Sequence, residues 1–239
     1  LQPALDTIHR AEVLGWMGRN PTLRALDRAS LEGLLAYAQL RPVRARARLF
    51  TAGDAGTALY VVLSGWLKLS RTGPSGRDIV LELVGPGSLF GELAVLCDLP
   101  RAADAVALCA CRVLAIDGRA VIAALRAHPD ALLALVRLLG ERLARTTAQM
   151  EDSVFLPAEA RLARALLRLA ALDPRPTRAG LLIDLGLSQS DLGELTGLAR
   201  ESINKLLAGW RDQGAIALHG RRLTLVDLPM FQAIAEAEG

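Results

Sequence analysis

Between Phe90 and Ala105 the chain reads FGELAVLCDLPRAADA, and the residue types at this spacing could hold an anion. A glycine runs directly into a carboxylate, Gly91-Glu92, and nine residues later comes Arg101 in a Pro-Arg-Ala-Ala setting. The apolar stretch Leu93 to Leu96 between them suits a short helix. The first backbone N–H groups of a helix lack an intrahelical acceptor and can turn toward an anion. Arginine adds a fork of donors that matches phosphate oxygens. Glu92 cannot serve a phosphate, but a carboxylate is suited to accept a sugar hydroxyl. An anion cradle, a cation and a hydroxyl acceptor together describe a pocket for a ribose-phosphate ligand. The competing reading is a plain Glu–Arg ion pair in a glycine-rich turn.

A second group of residues points toward nucleic acid. In Ser188-Gln-Ser-Asp191, the serine can cap a helix with Asp191 three positions on. Leu192 and Leu195 form the buried face of that helix, and Gly197 permits a left-handed turn. A second helix is predicted to begin near Ala199, with Ile203, Leu206, Leu207 and Trp210 facing inward. Two helices joined by a short glycine turn make a helix-turn-helix. Arg200, Glu201, Asn204 and Lys205 then share one outward face at the front of the second helix, the part that meets base edges in a major groove. Arginine pairs with guanine O6 and N7, and glutamate accepts from cytosine N4. Two short strands around His219-Gly220 make a wing, with Arg221 and Arg222 placed for phosphates. A solvated charged face is the alternative.

The elements around these groups can be read in order. The first forty residues look helical, with Ser30 as a cap and Leu14, Trp16 and Met17 folding onto the next domain. From Pro42 to Asp117, short apolar runs alternate with glycine turns. Residues 58–63, 66–69, 79–84 and 112–116 read as strands of an antiparallel sandwich or barrel. A long helix should run from Pro129 to a stop at Pro157, about 40 Å at ~1.5 Å per residue. Along it Leu132, Val136, Leu139, Leu143, Thr146, Met150 and Ser153 recur at alternating spacings of four and three, a heptad seam that favours a homodimer. A further helix over 158–172, a Pro-containing link at 173–177 and a strand at 181–185 lead into the helix pair, and a short helix closes the chain.

Composition narrows the function classes. The 239 residues suffice for two domains, and 52% hydrophobic content argues against disorder. No apolar run reaches the length of a membrane span and no signal peptide is visible, so a cytoplasmic location without membrane contact is expected. Cys97, Cys109 and Cys111 are too few and wrongly spaced for a disulfide framework or a structural zinc, and no metal is expected. Cys109 and Cys111 would share one face of a strand, as core residues do. The net charge of +3 is weak, and residues 157–239 carry ten basic and ten acidic groups. Charge alone therefore does not point to nucleic acid; motif and placement do. The motifs GxSxG, HExxH and GxxxxGK are all missing, which argues against an enzyme, although Cys97 or His128 as nucleophile or base is the alternative to weigh.

The FGELAVLCDLPRAADA segment resembles the phosphate-binding cassette of cyclic-nucleotide-binding domains. The whole order of β-roll, dimer helix and winged helix-turn-helix resembles the cyclic-AMP receptor protein family (CRP/FNR) of transcription regulators. The resemblance implies an α+β fold. An N-terminal β-roll (jelly-roll) cyclic-nucleotide-binding domain would cover 1–127, a dimerisation helix 128–156, and a winged helix-turn-helix DNA-binding domain 157–239. It implies Glu92 on a ribose 2′-hydroxyl, Arg101 on the cyclic phosphate, and backbone groups of Gly91, Leu93 and Ala102 around the anion. Thr146 and Thr147 fall where cyclic-AMP-binding members place a Thr-Ser pair, one hydroxyl on the adenine of its own subunit and the next on the partner's ligand. Ser188, Gln189, Arg200, Glu201, Asn204, Lys205 and Arg221 would face DNA, a pseudo-palindromic site with TGTGA-like half-sites. RNA polymerase is the further partner implied.

Three positions depart from the pattern. Ala102 replaces a serine, which removes one phosphate hydrogen bond. Ala199 replaces a serine at the start of the recognition helix. Lys205 replaces an arginine fork with a point charge. Cyclic AMP is the expected ligand, since Ala102 has no hydroxyl to offer a guanine amino group. Cyclic GMP and a dual response are the rivals, as is a cyclic-nucleotide module that regulates a partner protein without DNA. Iron–sulfur and haem versions of the family do not fit. Residues 1–50 contain no cysteine, and His9, His128 and His219 lie outside the roll.

Overall fold

The computed structural model describes residues 7–236. The start of the expected helical region and the last three residues of the chain lie outside the described residues. The chain separates into two compact units, Leu1–Arg71 with Glu82–Leu143, and Thr72–Leu81 with Ala144–Gly239. The architecture is α+β, as expected.

The first unit begins with α1 (Thr7–Met17), α2 (Pro21–Arg24) and α3 (Arg28–Leu35). Strands β1 (Ala38–Val43), β2 (Arg48–Phe50), β3 (Ala58–Ser64), β4 (Leu67–Thr72), β5 (Asp78–Val84) and β6 (Leu89–Phe90) follow. Then come α4 (Glu92–Leu96), β7 (Asp104–Ala107), β8 (Cys111–Asp117), α5 (Gly118–Ala127) and α6 (Pro129–Phe155), whose residues up to Leu143 belong to this unit and the rest to the second. The strands form two four-stranded sheets, β1-β8-β3-β6 and β2-β7-β4-β5. Strand β3 shows how the core is made. Its side chains alternate in direction. Leu59, Val61 and Leu63 join Met17, Leu34, Leu125 and Leu135 under the helices. Tyr60 and Val62 face Leu67, Phe90 and Ala105 inside the roll. With both faces covered, the strand is apolar throughout rather than alternating.

Leu14, Trp16 and Met17 pack on this core as the sequence suggested. Ser30 is not the cap of α3. Asp27 is, accepting from Ser30 N at 2.7 Å, and that bond holds the Asp27 carboxyl below its ordinary range. The Ser30 hydroxyl instead lies 2.7 Å from His128 Nε2, at the C-terminal end of α5. The hydroxyl thus satisfies the histidine, whose place is structural.

The second unit holds α7 (Ala158–Leu172), β9 (Arg175–Thr177), β10 (Gly180–Ile183), α8 (Gln189–Thr196) and α9 (Arg200–Asp212). It ends in β11 (Ile216–His219), β12 (Arg222–Leu225) and α10 (Leu228–Glu236), and its sheet runs β11-β12-β10-β9. The stretch 173–177, expected as a link, contributes β9. Trp210 centres the core, edge-on to Phe231 at 4.8 Å and donating through Nε1 to Glu159 Oε1 at 3.2 Å. Near the end of α6, buried Asp152 takes Arg164 at 2.8 Å and Arg168 at 2.6 Å, while Arg164 also donates to Ala235 O on α10. One carboxylate therefore ties α6, α7 and α10 together. Helix α6 is continuous over 27 residues. Leu132, Val136, Leu143 and Met150 of its heptad seam stand exposed on the single chain, with Leu139 half-buried. No described helix is long and apolar enough to cross a membrane.

Candidate functional site

Two sites were expected; the cassette with its anchors lies in the first unit and the helix pair in the second, while Thr146 and Thr147, expected at the cassette's ligand, fall in the second. In the first unit, β3 and β6 pair through Tyr60 and Phe90 and deliver Gly91 to the start of α4. Gly91 has φ of 80°, and a Cβ there would sit 2.5 Å from Arg101 Nη1. Only glycine allows both the left-handed turn and the close guanidinium.

Arg101 is 4% exposed. Its Nη1 donates to Gly91 O at 2.9 Å and its Nη2 to Ala58 O at 2.6 Å. The guanidinium carbon lies 4.4 Å from the ring centre of Phe50 and 5.2 Å from that of Tyr60, a cation–π seat. Desolvation lowers the Arg101 pKa, and Tyr60, Glu92 and Asp54 partly offset this. Both hydrogen bonds end on neutral carbonyls. Two of the five guanidinium N–H donors are engaged on these carbonyls and the Tyr60 side chain also interacts with the group, which leaves donors for a ligand. A buried cation in this state gains from an anion.

Glu92 is the first residue of α4 and is 4% exposed. Its Oε1 meets Arg142 Nη1 at 2.8 Å. Arg142, on α6, also holds Glu82 of β5 through Nε at 3.0 Å and donates to Leu89 O. The expected carboxylate–guanidinium pair is therefore not one ion pair. Glu92 belongs to Arg142, and Arg101 is anchored by backbone. The plain Glu92–Arg101 ion pair is set aside by this geometry. A carboxylate has about four lone-pair sites, so Glu92 can accept a hydroxyl while keeping Arg142. Leu93 and Ala102, at the rim of the cassette, are exposed, and the Ala102 carbonyl accepts from Arg71 at 3.0 Å.

Sequence reasoning missed Phe50, Tyr60, Glu82 and Arg142. Glu82 left a signal, a charge inside the otherwise apolar run Ile79 to Val84. Arg142 left none, being one arginine among several on a helix. Thr146 lies one turn beyond Arg142 along α6 and is half-buried, and Thr147 is exposed. Both belong to the second unit.

In the second unit the helix pair forms as read. Ser188 Oγ accepts from Asp191 N at 3.2 Å, and Ser188 N donates to Asp191 Oδ2 at 2.8 Å, a capping box. The Ser188 hydroxyl also donates to Asp191 Oδ2 at 2.6 Å, so capping occupies it. Gly197 ends α8 at φ 69°. Ala199 is the N-cap of α9 and contributes no side-chain bond. Ile203, Leu207 and Trp210 are buried and Leu206 is half-buried. Arg200, Glu201, Asn204 and Lys205 are all exposed, one turn apart at the front of α9. The wing β11–β12 turns at Gly220 and exposes Arg221. Arg222 is instead drawn to Asp184, 3.1 Å away. Gln189, Arg200 and Arg221 line a common concave surface beside Ser188.

Comparison with known proteins assigns both halves. Residues 40–128 match the cyclic nucleotide-binding domain and residues 160–234 the Crp-like helix-turn-helix domain. A CRP-like cAMP-activated global transcriptional regulator of Mycobacterium tuberculosis is 32% identical over 179 residues, 75% of this chain and 80% of that protein. The cyclic AMP receptor protein of Thermus thermophilus is 31% identical over 219 residues, 92% of this chain and 98% of that one. A crystal structure of a CRP-family transcriptional regulator from Thermus thermophilus superposes with a TM-score of 0.71 at 28% identity, covering 82% of this chain and 97% of that one.

Proposed function

Since the chain belongs to the CRP/FNR family of DNA-binding transcription regulators, not enzymes, and carries a cyclic-nucleotide-binding domain, we propose that it is a cytoplasmic, homodimeric regulator switched on by cyclic AMP. The observation that carries the ligand reading is Arg101, a desolvated guanidinium fixed by two carbonyls with donors left over. The cyclic phosphate takes those donors and the N–H groups at the start of α4, with Gly91, Leu93 and Ala102 around it. The ribose 2′-hydroxyl donates to Glu92. Arg142 holds Glu92 in place and ties the cassette to α6.

In this reading residues 1–127 are the sensor, 128–156 the dimer helix and 157–239 the reader. The exposed seam of α6 meets its copy, and Thr146 and Thr147 contact the adenines of the two subunits. Arg200, Glu201, Asn204 and Lys205 read bases, while Gln189, Arg221 and the backbone at Ser188 meet phosphates. A two-fold dimer presents its α9 helices to successive major grooves about 34–36 Å apart on a pseudo-palindromic site. Cyclic AMP acts only through its higher affinity for the DNA-competent arrangement, and RNA polymerase is the downstream partner. Cyclic GMP is the second reading, and Ala102, with no hydroxyl for a guanine amino group, disfavours it.

Competitive calorimetric titration with both nucleotides, followed by DNA-binding anisotropy with each, tests the proposal. Cyclic AMP should bind more tightly and raise DNA affinity. Tighter cyclic GMP binding reverses the ligand assignment, and nucleotide binding with no effect on any duplex removes the DNA reading.

A further inference from the structure

Cys109, Ala110 and Cys111 lead from the bend after β7 into β8. Their two thiols converge on the backbone of one residue. Trp66 N–H donates to Cys109 Sγ at 3.3 Å, and Cys111 Sγ donates to Trp66 O at 3.3 Å. Cys111 Sγ is also 3.2 Å from the Cys109 carbonyl. The sulfurs bear on each other as well. The Cys111 thiol is pushed up to about 12, first by burial and then by the adjacent Cys109 side chain.

The two cysteines differ in access. Cys109 is half-buried and Cys111 is buried, and both are free thiols. Two residue steps of extended chain span at most roughly 7 Å. An extended Cys-x-Cys pair therefore sits at the upper edge of the roughly 4.4–6.8 Å between Cα atoms that a disulfide requires. Shared core packing explains buried apolar sulfur. Cys111 belongs to that core and Cys109 packs against it, and beyond packing the two thiols engage the N–H and the carbonyl of one residue, Trp66.

We propose that Cys109 and Cys111 form a site of reversible oxidation that closes to an intrachain disulfide by exchange with a low-molecular-weight disulfide. The Cys109 sulfur, having lost its proton to solvent, attacks one sulfur of the small disulfide, forming a mixed disulfide and expelling one small thiolate. That thiolate takes a proton from solvent, and Cys111 gives its own proton to solvent. Its sulfur then attacks Cys109 Sγ, and the second small thiolate leaves and is protonated by solvent. Two protein thiols are oxidised, one small disulfide is reduced to two thiols, and protons balance.

The test uses the full chain with the exposed third thiol removed, Cys97→Ala, incubated with oxidised glutathione and read by intact mass. The expected product is lighter by two hydrogens, carries no adduct and reverts with reductant. Adding Cys111→Ala should stop the reaction at one glutathione adduct. Adding Cys109→Ala should slow all reaction at least tenfold. Non-reducing peptide mapping of the unsubstituted chain needs no variant to fold and should find Cys109 joined to Cys111. A persistent adduct on the chain that retains both thiols, or closure seen only after denaturation, overturns the proposal.

Discussion

Arg101→Lys keeps the positive charge and removes the fork, which makes it the sharpest probe of the sensor. In the structure two guanidinium donors are committed to Gly91 O and Ala58 O and Tyr60 also interacts with the group, leaving the others for a ligand. A lysine ammonium has three donors at one point. If it serves the two carbonyls, one donor is left for the phosphate. One to two charge-assisted bonds are lost, each worth about 1.5–3 kcal/mol. A total of about 1.5–6 kcal/mol corresponds to roughly 10- to 20,000-fold weaker cyclic-AMP binding, at tenfold per 1.4 kcal/mol. Stability should change little, because the carbonyls stay satisfied. Arg101→Ala differs, since it also strips the cation from Phe50 and Tyr60 and leaves two part-buried carbonyls without their donor, at about 1–3 kcal/mol each. Calorimetry on both variants, with urea unfolding beside it, separates the effects. Lysine should cost affinity and spare stability, whereas alanine should cost both. A lysine variant that binds within threefold of the parent would show that Arg101 only shapes the turn, and the anion reading would fail.

Glu201→Ala should relax preference at one half-site position by about 1–3 kcal/mol, and an unchanged logo in a binding-site selection would argue against base contact. Arg221→Ala should weaken binding to all sequences alike and make the slope of log affinity against log salt shallower by about 1.8 for the dimer, about 0.9 per subunit, whereas an unaltered slope places Arg221 away from phosphate. Leu143→Asp puts a charge on the most exposed leucine of the α6 seam, and light scattering should show a shift from dimer to monomer at equal concentration. A dimer that persists unchanged moves the interface elsewhere. Burial holds the Cys111 thiol at about 12 in the folded chain against an ordinary 9.0, so the unfolded thiol ionises first. The stability it contributes is complete below pH 9.0 and drains as pH rises toward 12. Urea unfolding of the parent should therefore lose stability more steeply toward alkaline pH than Cys111→Ala does, and parallel curves would contradict the buried-thiol picture.

What could be read from the sequence follows the range of the interactions. The Ser188–Asp191 capping box spans three residues and Gly197 acts on its own backbone, so both carry their signal locally. The Gly91-Glu92 to Arg101 spacing is nearly as local. The strands that escaped notice are mostly edges. Strand β1 pairs only with β8, and β9 only with β10, so neither needs two apolar faces and each tolerates a proline, Pro42 and Pro176. A proline that reads as a linker is, on an edge, compatible with a strand whose free side needs no donor. The Glu82–Arg142–Glu92 group escaped for the opposite reason. Its members lie on β5, α6 and α4, and Glu82 and Arg142 are 60 residues apart, so no local pattern joins them. That group changes the chemistry inferred for the site. The two motif residues looked like partners of each other, yet folding gives each a different anchor, backbone for Arg101 and Arg142 of α6 for Glu92. In the proposed reading, a ligand that bridges them therefore acts on the turn before α4 and, through Arg142, on α6 together.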